Sequence, residues 1–362
     1  MNYIARQKNL AELLRRGGFD GLLITHLPNV RYLCGFTGTA GVIVFQVSQR
    51  THKAAFYTDG RYDQQAHEEV RNAKVAVGKR SAFVEGCEAV LKTKIETLGF
   101  EAEQLSFAAY QKLGQVVRRK TRLKPAVGMI EQLRLIKDAD EIGQIRASVL
   151  LAASLFQTAL SVIKPGIAET QVAGELELQA RRAGAEKMSF DTIVAAGARS
   201  ALPHGRASAQ VIPAKGFIIL DYGVILAGYC SDMTRTVHAG PISRAHRSMY
   251  DAVREAQLAS IGVVGPGVET GAVDHAGREV LKKAGFDEFF THSTGHGVGI
   301  EVHEPPRLAR GQTQKLAPGM VVTIEPGIYI PDEGGVRIED MVLVTESGHE
   351  VLTPTTKDLI TL

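Results

Sequence analysis

The sequence has few of the features that mark disulfide-bonded, membrane or nucleic-acid-binding proteins. Its three cysteines, Cys34, Cys87 and Cys230, lie far apart without metal-binding spacing, so they form no disulfide framework and fit a reducing compartment. No uninterrupted apolar run approaches the roughly 18 residues of a membrane span. Net charge is only +3 and no long block of like charge occurs, which argues against a nucleic-acid partner. Tryptophan is absent, which excludes nothing.

The composition is that of a globular protein with an ample core. The chain has 362 residues, of which 44% are hydrophobic and 22% charged, and this length suits two domains or one large one. The first residues, "MNYIARQKNLAELLRRGGFDG", are charged and amphipathic and lack a continuous apolar segment. We therefore expect no signal peptide, no membrane association and a cytoplasmic location.

The first third of the chain alternates helix-like and strand-like segments. An amphipathic pattern predicts a helix over 4–16, and "GLLIT", "GVIVF" and "AAFYTD" follow as strands, which indicates a small α/β domain. A long helix is then predicted from Ala139, with Asp138 as its N-cap and Glu141 completing a capping pair. We place the boundary just before this helix and predict domains over 1–135 and 136–362.

The second part of the chain contains an internal repeat with an offset of about a hundred residues. "PGIAETQVAGELE" from Pro165 matches "PGVETGAVDHAGRE" from Pro266, and "GFIILDYG" from Gly216 matches "GMVVTIEPG" from Gly319. "CSDMTRTV" from Cys230 matches "RIEDMVLV" from Arg337. Because order and offset are kept, we predict a duplicated helix-plus-hairpin unit related by a pseudo-two-fold axis.

Acidic residues recur at matched places in the two repeats. Asp221 ends an apolar run and aligns with Glu325, while Asp232 aligns with Glu339. If the hairpin turn lies around 226–227, Asp221 and Asp232 are directly opposed, with Cβ atoms roughly 5 Å apart. Four converging buried carboxylates must be protonated or neutralised, and two divalent cations would neutralise them. The alternative is that each acid pairs separately with lysine or arginine, or lies in solvent.

Histidines close to these acids could supply a neutral nitrogen ligand. In "THSTGHGVGIEVHEPPR", His296 is flanked by glycines that allow close approach of the backbone, and it is the predicted ligand. His303 is predicted to hydrogen-bond beside the substrate, and His292 to be structural. His204, in "ALPHGRAS", follows a proline turn.

Arg337 lies two residues before Glu339 and so points to the same face of the predicted strand. It could orient the carboxylates from behind. A surface ion pair is the equally simple alternative.

The motifs "LDYG", "SDMTR", "GHGVGIEVHE", "TIEPGIY" and "RIEDM" together resemble the M24 metallopeptidases, which have the pita-bread fold. The N-terminal "NVRYLCGFTGTAG" and "YTDGRY" are similar to the additional domain of the Xaa-Pro peptidases, aminopeptidase P and the prolidases. The resemblance implies an α/β (α+β) protein with a pita-bread catalytic domain, preceded by a smaller α/β domain. It argues against the metal-free creatinase branch, because all five ligand positions are kept.

The resemblance also implies a role for each matched residue. Asp221 corresponds to a ligand of one metal, His296 and Glu325 to ligands of the other, and Asp232 and Glu339 to bridges between them. His204 and His303 correspond to histidines of the substrate site. The family commonly uses Mn²⁺, with Co²⁺ or Zn²⁺ as alternatives, and carboxylate-rich ligation with one histidine is compatible with all three.

The implied reaction is hydrolysis of an Xaa-Pro bond at the N-terminus of a peptide. Glu325 would transfer a proton to the leaving proline nitrogen, and His303 would stabilise the developing oxyanion. The N-terminal motifs favour an Xaa-Pro aminopeptidase over a dipeptidase, which would need a cation for the proline carboxylate, such as Arg307 or an arginine from a partner subunit. The substrates would be peptides with proline at the second position, and relatives are often homodimers. The remaining alternative is a non-catalytic peptide-binding protein.

Overall fold

A computed structural model describes residues 1–117 and 121–362. They form two compact units, Met1–Arg134 and Leu135–Leu362.

The first unit is a mixed sheet with helices, as the alternating pattern predicts. Its helices are α1 (Tyr3–Arg16), α2 (Leu27–Cys34), α3 (Asp63–Glu69), α4 (Ala82–Leu91), α5 (Phe107–Val117) and α6 (Met129–Arg134). Its strands are β1 (Gly21–Ile24), β2 (Val42–Val47), β3 (His52–Asp59), β4 (Lys74–Gly78), β5 (Thr97–Glu101) and β6 (Arg122–Ala126). The strands form one sheet in the order β4-β3-β2-β1-β5-β6. The side chain of Asn2 caps α1 by accepting from the Ala5 N–H, and Leu10 and Leu14 bury its apolar face.

The second unit contains helices and several small sheets. Its helices are α7 (Ala139–Val162), α8 (Glu169–Arg182), α9 (Arg244–Gly262) and α10 (Thr270–Lys283). Its first strands are β7 (Lys187–Met188), β8 (Ile193–Ala196), β9 (Gly216–Tyr222), β10 (Val224–Leu226), β11 (Tyr229–Cys230) and β12 (Met233–Ala239). The later strands are β13 (Gly295–Gly297), β14 (Glu304–Leu308), β15 (Val321–Ile324), β16 (Gly327–Ile330), β17 (Gly334–Arg337), β18 (Asp340–Val344) and β19 (His349–Val351). The sheet orders are β11-β10-β7, β12-β9-β8, β14-β13-β15-β18-β19 and β16-β17.

Helix α7 begins where the sequence predicts. Asp138 accepts from the Glu141 N–H and Glu141 accepts from the Asp138 N–H, which completes the capping box. This helix is also long and apolar enough to cross a membrane by length and composition alone. Its buried residues, including Ile145, Val149 and Phe156, pack inside the second unit, as in the core helix of a globular protein.

The internal repeat is visible as matched local structure. Gly166 and Gly267 adopt left-handed φ values of 87° and 83° in the two Pro-Gly turns that precede α8 and α10. Each turn is followed by an equivalent isolated β-bridge, Ala168↔Val211 and Glu269↔Lys315. The antiparallel strands β8-β9-β12 of one half then correspond to β13-β15-β18 of the other. The predicted duplication is therefore confirmed, with each half consisting of two helices and antiparallel strands.

The hairpin register differs from the predicted one by two residues. The turn is formed by Ala227 and Gly228, both with positive φ, because Leu226 pairs with Tyr229 across it. Asp221 consequently pairs with Thr234 rather than Asp232. The expectation that the two acids are directly opposed is wrong. Asp232 is instead the diagonal neighbour of Asp221, which keeps both carboxylates on one face of the sheet.

Candidate metal centre

The acids lie on the face of each sheet that the helices leave uncovered. In β9, Ile218, Leu220 and Tyr222 belong to the core formed with α7 and α8. Since strand side chains alternate, Asp221 points to the opposite face. Strand β15 repeats the pattern, because Val322 and Ile324 pack with residues of α9 and α10. This alternation explains how a carboxylate can end a strand that otherwise reads as fully buried.

The acids of the second repeat, Glu325 and Glu339, also lie on neighbouring strands. In β15 and β18, Ile324 pairs with Asp340, and continuing this register by one residue sets Glu325 opposite Glu339. The two halves are joined directly at this point, since the Glu339 N–H donates to the carbonyl of Thr234 (3.1 Å). Four carboxylates from two repeats are thereby brought to one place.

These carboxyl groups are buried, and their burial opposes ionisation. Asp221, Asp232 and Glu339 are 8%, 5% and 1% exposed. Burial and the neighbouring carboxylates raise the pKa of Asp232 and of Glu339 well above the ordinary values. Burial, together with Asp221 and against the opposing effect of Arg337, raises the pKa of Glu325 to about 8. Without a cation, the cluster therefore retains protons near neutral pH, and a bound cation would displace them.

His296 presents a nitrogen lone pair to these acids. Its Nδ1 lies 3.1 Å from the carbonyl of Gly297 and must be the protonated nitrogen, since a carbonyl only accepts. Burial, and then His303, lowers the pKa of His296 to about 4, so the ring is neutral. Its Nε2 therefore faces Glu325 Oε1 at 3.3 Å and Asp232 Oδ2 at 3.7 Å with a lone pair. A lone pair set against carboxylate oxygens is repulsive unless a cation or a proton lies between them.

The donor set fits bound divalent metal. Asp232, His296 and Glu339 each offer a ligand atom within 4.8 Å of the others. Among the residues that the structure describes, Asp221 Oδ1 and Glu339 Oε1 are buried without a hydrogen-bond partner. Such orphaned acceptors are rare in proteins, and a metal ion would satisfy both. Asp221, Asp232, His296, Glu325 and Glu339 are the residues that would hold the metals.

The glycines beside His296 lie in strand β13 and are needed for a close approach of backbone, as predicted. A Cβ on Gly295 would lie 1.9 Å from the carbonyl oxygen of Thr323, and one on Gly297 would lie 2.1 Å from that of Pro305. Thr323 Oγ1 in turn accepts from the His296 N–H (3.1 Å) and donates to Glu325 Oε1 (3.2 Å). The two candidate ligands are thus held by one side chain.

Arg337 lies behind the acids and not at the surface. It is 3% exposed, and its Nη2 donates to Asp221 Oδ2 at 2.6 Å. Its Nε donates to Thr234 Oγ1 (3.2 Å), whose hydroxyl donates to Glu339 Oε2 (2.7 Å). The guanidinium therefore orients an acid from each repeat, and the surface ion-pair alternative does not describe it.

Tyr329 and His292 extend this network, and sequence reasoning did not find the tyrosine. Arg337 Nη1 donates to the Tyr329 hydroxyl (2.6 Å). The hydroxyl lies 2.9 Å from Nε2 of His292, whose Nδ1 lies 2.8 Å from the carbonyl of Ser293. Nδ1 is therefore protonated, and the tyrosine donates to Nε2. The only sequence signal for Tyr329 is its place in "TIEPGIY", four residues after Glu325.

The acids open into a cleft of about 1020 Å³. Apolar residues on its wall include Phe190, Ile193, Pro203 and Pro305. Its polar lining includes His204, His292, His303, Arg206 and Arg307. The ring of His303 packs edge-to-face on that of His296, with centroids 4.4 Å apart. The structure thus brings together, in one cleft, all the residues predicted for metal ligation and catalysis.

Comparison with known proteins identifies the class of protein. The sequence pattern of metallopeptidase family M24 matches residues 143–346, and that of the creatinase/prolidase N-terminal domain matches residues 6–136. The chain belongs to metallopeptidase family M24 and is a hydrolase of that family.

Individual relatives are similar over almost their whole length. The structure of an Xaa-Pro dipeptidase from Bacillus anthracis matches with a TM-score of 0.95 at 41% identity, covering 100% of both chains. An Xaa-Pro dipeptidase from Pyrococcus horikoshii is 35% identical over 353 residues, 98% of each chain. The structure of an X-Pro aminopeptidase from Thermotoga maritima matches with a TM-score of 0.88 at 33% identity, covering 97% of this chain and 100% of the other.

These matches confirm the pita-bread fold and the added N-terminal domain. They do not confirm the preference for an aminopeptidase. The dipeptidases and prolidases among the relatives support the alternative better. The N-terminal motifs that favoured an aminopeptidase mark the shared additional domain and do not separate the two activities.

Proposed function

We propose that the protein is an Xaa-Pro dipeptidase that depends on two divalent metal ions. The observation that carries this proposal is the position of Arg307. It pairs with His296 across strands β13 and β14, so the two side chains leave the same face roughly 5 Å apart at Cβ. The Arg307 guanidinium is therefore the direct cross-strand neighbour of a candidate metal ligand. A cation at this distance suits the carboxylate of the proline residue that follows the scissile bond. This position favours a dipeptide over a longer chain as the substrate.

The remaining residues of the cleft take roles consistent with this substrate. When bound, the metals would lower the pKa of a water molecule and polarise the scissile carbonyl. His303, exposed in the cleft beside His296, donates a hydrogen bond to the developing oxyanion. Glu325 accepts a proton at its carboxylate and transfers it to the proline nitrogen. His204 binds the substrate backbone, and Phe190, Ile193 and Pro305 offer apolar surface to the proline ring.

Several wider features belong to the same proposal. Manganese is the proposed metal, with cobalt or zinc as alternatives. We further propose that the enzyme works in the cytoplasm as a homodimer, with Xaa-Pro peptides and neither nucleic acid nor membrane as its partners. The balanced charge and scattered cysteines support this location.

Replacement of Arg307 by glutamine tests the proposal. We expect KM for an Xaa-Pro dipeptide to rise about 10- to 100-fold, because a charged hydrogen bond to the proline carboxylate is lost. Hydrolysis of the matching Xaa-Pro amide, which lacks the carboxylate, should be slow in the wild type and little changed by the substitution. Steady-state kinetics on both substrates measure this, with Arg310→Gln, an exposed arginine outside the cleft lining, as the control.

The aminopeptidase remains the second candidate, favoured by the similarity to the X-Pro aminopeptidase from Thermotoga maritima. Comparison of Xaa-Pro with Xaa-Pro-Yaa on one preparation decides between them. If the tripeptide turns over as well as the dipeptide, or Arg307→Gln affects dipeptide and amide equally, the dipeptidase proposal is wrong.

A further inference from the structure

A buried ion pair lies beside the cleft but outside the metal centre. Lys137 Nζ lies 3.3 Å from Glu304 Oε2, and the two side chains are only 1% and 3% exposed. Burial of two charges costs desolvation energy that their attraction often fails to recover, so such a pair is weak evidence of stabilisation. Its position therefore calls for another physical reason.

The lysine end of the pair is held on a rigid base. Lys137 directly precedes Asp138, which caps the core helix α7. Its backbone N–H donates to the carbonyl of Gly319 at 2.9 Å, close to the start of β15. A Cβ on Gly319, whose φ is 86°, would lie 3.1 Å from the backbone oxygen of Lys137. The two backbone segments are therefore closely packed as well as hydrogen-bonded. The backbone of Lys137 is thus fixed relative to both α7 and β15.

The glutamate end closes the segment 298–303, which we call the histidine loop because it carries His303. Glu304 Oε1 accepts from the Glu301 N–H at 3.0 Å. A Cβ on Gly299 would lie 2.7 Å from both carboxylate oxygens, so the carboxylate fills the space inside the loop. Lys137 therefore anchors the loop through Glu304, which directly follows the cleft-facing His303.

We infer that Lys137 and Glu304 are a positioning pair that holds the histidine loop in place, so that His303 stays packed on His296 and directed at the substrate. The Cys230 N–H also donates to the carbonyl of Gly299 (2.8 Å) and Val298 is buried in the core, but both contacts lie at the start of the loop. Glu304 instead directly follows His303, whose ring is exposed. The expected effect on kcat rests on the proposed peptidase function, whereas the expected effect on the mobility of the loop does not.

The test is the double variant Lys137→Met/Glu304→Gln. It removes both charges together, keeps an acceptor for the Glu301 N–H and preserves side-chain length, so the unfolding midpoint should stay close to wild type. Positioning predicts that kcat for an Xaa-Pro dipeptide nevertheless falls about 10- to 100-fold with little change in KM. Hydrogen exchange of the histidine loop should increase, while exchange of β9 and β12 stays unchanged. The control is Arg146→Met/Glu350→Gln, an exposed ion pair whose arginine lies on α7.

A normal kcat with unchanged loop exchange in the double variant would overturn the inference and leave the pair as a stabilising contact only. If the double variant does not fold, Glu304→Asp serves instead, because it keeps the charge but shortens the reach to Lys137. It should show the same increase in loop exchange and the same loss of kcat. If the wild type hydrolyses no Xaa-Pro substrate, the proposed function is wrong, and loop exchange alone then decides for or against the positioning pair.

Discussion

Substitution of Glu339 by glutamine should lower kcat/KM for Xaa-Pro dipeptides by more than about 100-fold, the upper range seen when only an outer partner of a metal ligand is removed. Glu339 is 1% exposed, and one of its oxygens has no hydrogen-bond partner among the described residues. Glutamine can still accept from Thr234, so the local fold is kept while a metal-binding charge is lost. Steady-state kinetics and metal analysis of the purified variant measure both effects.

The matched control is Glu350→Gln, on the neighbouring strand β19 of the same sheet, where the glutamate is exposed and pairs with Arg146. It should leave activity close to wild type. The metal-free Glu339→Gln protein should also be no less stable than metal-free wild type, because one of several mutually repelling acids is gone. Activity near wild type in Glu339→Gln would contradict the assigned site.

Removal of metal should abolish hydrolysis and make the stability of the protein depend on pH in an unusual direction. Burial raises the pKa values of Asp232, Glu325 and Glu339, so the folded metal-free protein holds protons that the unfolded chain releases. Such groups stabilise the folded state at pH below the ordinary glutamate pKa of 4.5. This stabilisation is lost as the pH rises towards the Glu325 pKa of about 8. The chelated protein should therefore unfold at a higher temperature near pH 5 than near pH 8.

Added Mn²⁺ should reverse this trend and restore hydrolysis. The increase in unfolding temperature on metal binding should be larger near pH 8, because the cation competes with protons for the same carboxylates. Calorimetric scans of chelated and reloaded protein over this pH range measure it. A chelated protein that is most stable near pH 8, or that keeps its activity, would contradict the proposal that metal neutralises these acids.

The sequence predicts most of this site because the chemistry repeats within the chain. Asp221 and Asp232 recur as Glu325 and Glu339 at matched places in the two repeats, and an acid that is costly to bury rarely recurs by chance. Because side chains two residues apart lie on the same face of a strand, Arg337 is then expected on the same face as Glu339. Spacing alone left the role of Arg337 open between orienting the acids and pairing at the surface, and only its burial and its contacts with Asp221 and Thr234 decide it.

Other features depend on contacts between distant segments and could not be predicted. The register of the β9–β12 hairpin depends on which two residues form its turn, and a change from Leu226–Ala227 to Ala227–Gly228 shifts every pair by two. The link of Tyr329 to His292 and the ion pair of Lys137 with Glu304 join residues 37 and 167 positions apart. No local pattern marks such partners.

The most direct test of the metal centre is anomalous diffraction from crystals of active, manganese-loaded protein, collected on both sides of the manganese absorption edge. We predict two anomalous peaks per chain within the cluster of side chains that would hold the metals, Asp221, Asp232, His296, Glu325 and Glu339. Active crystals with no peak among these five side chains, or with manganese bound only elsewhere on the chain, would contradict the account.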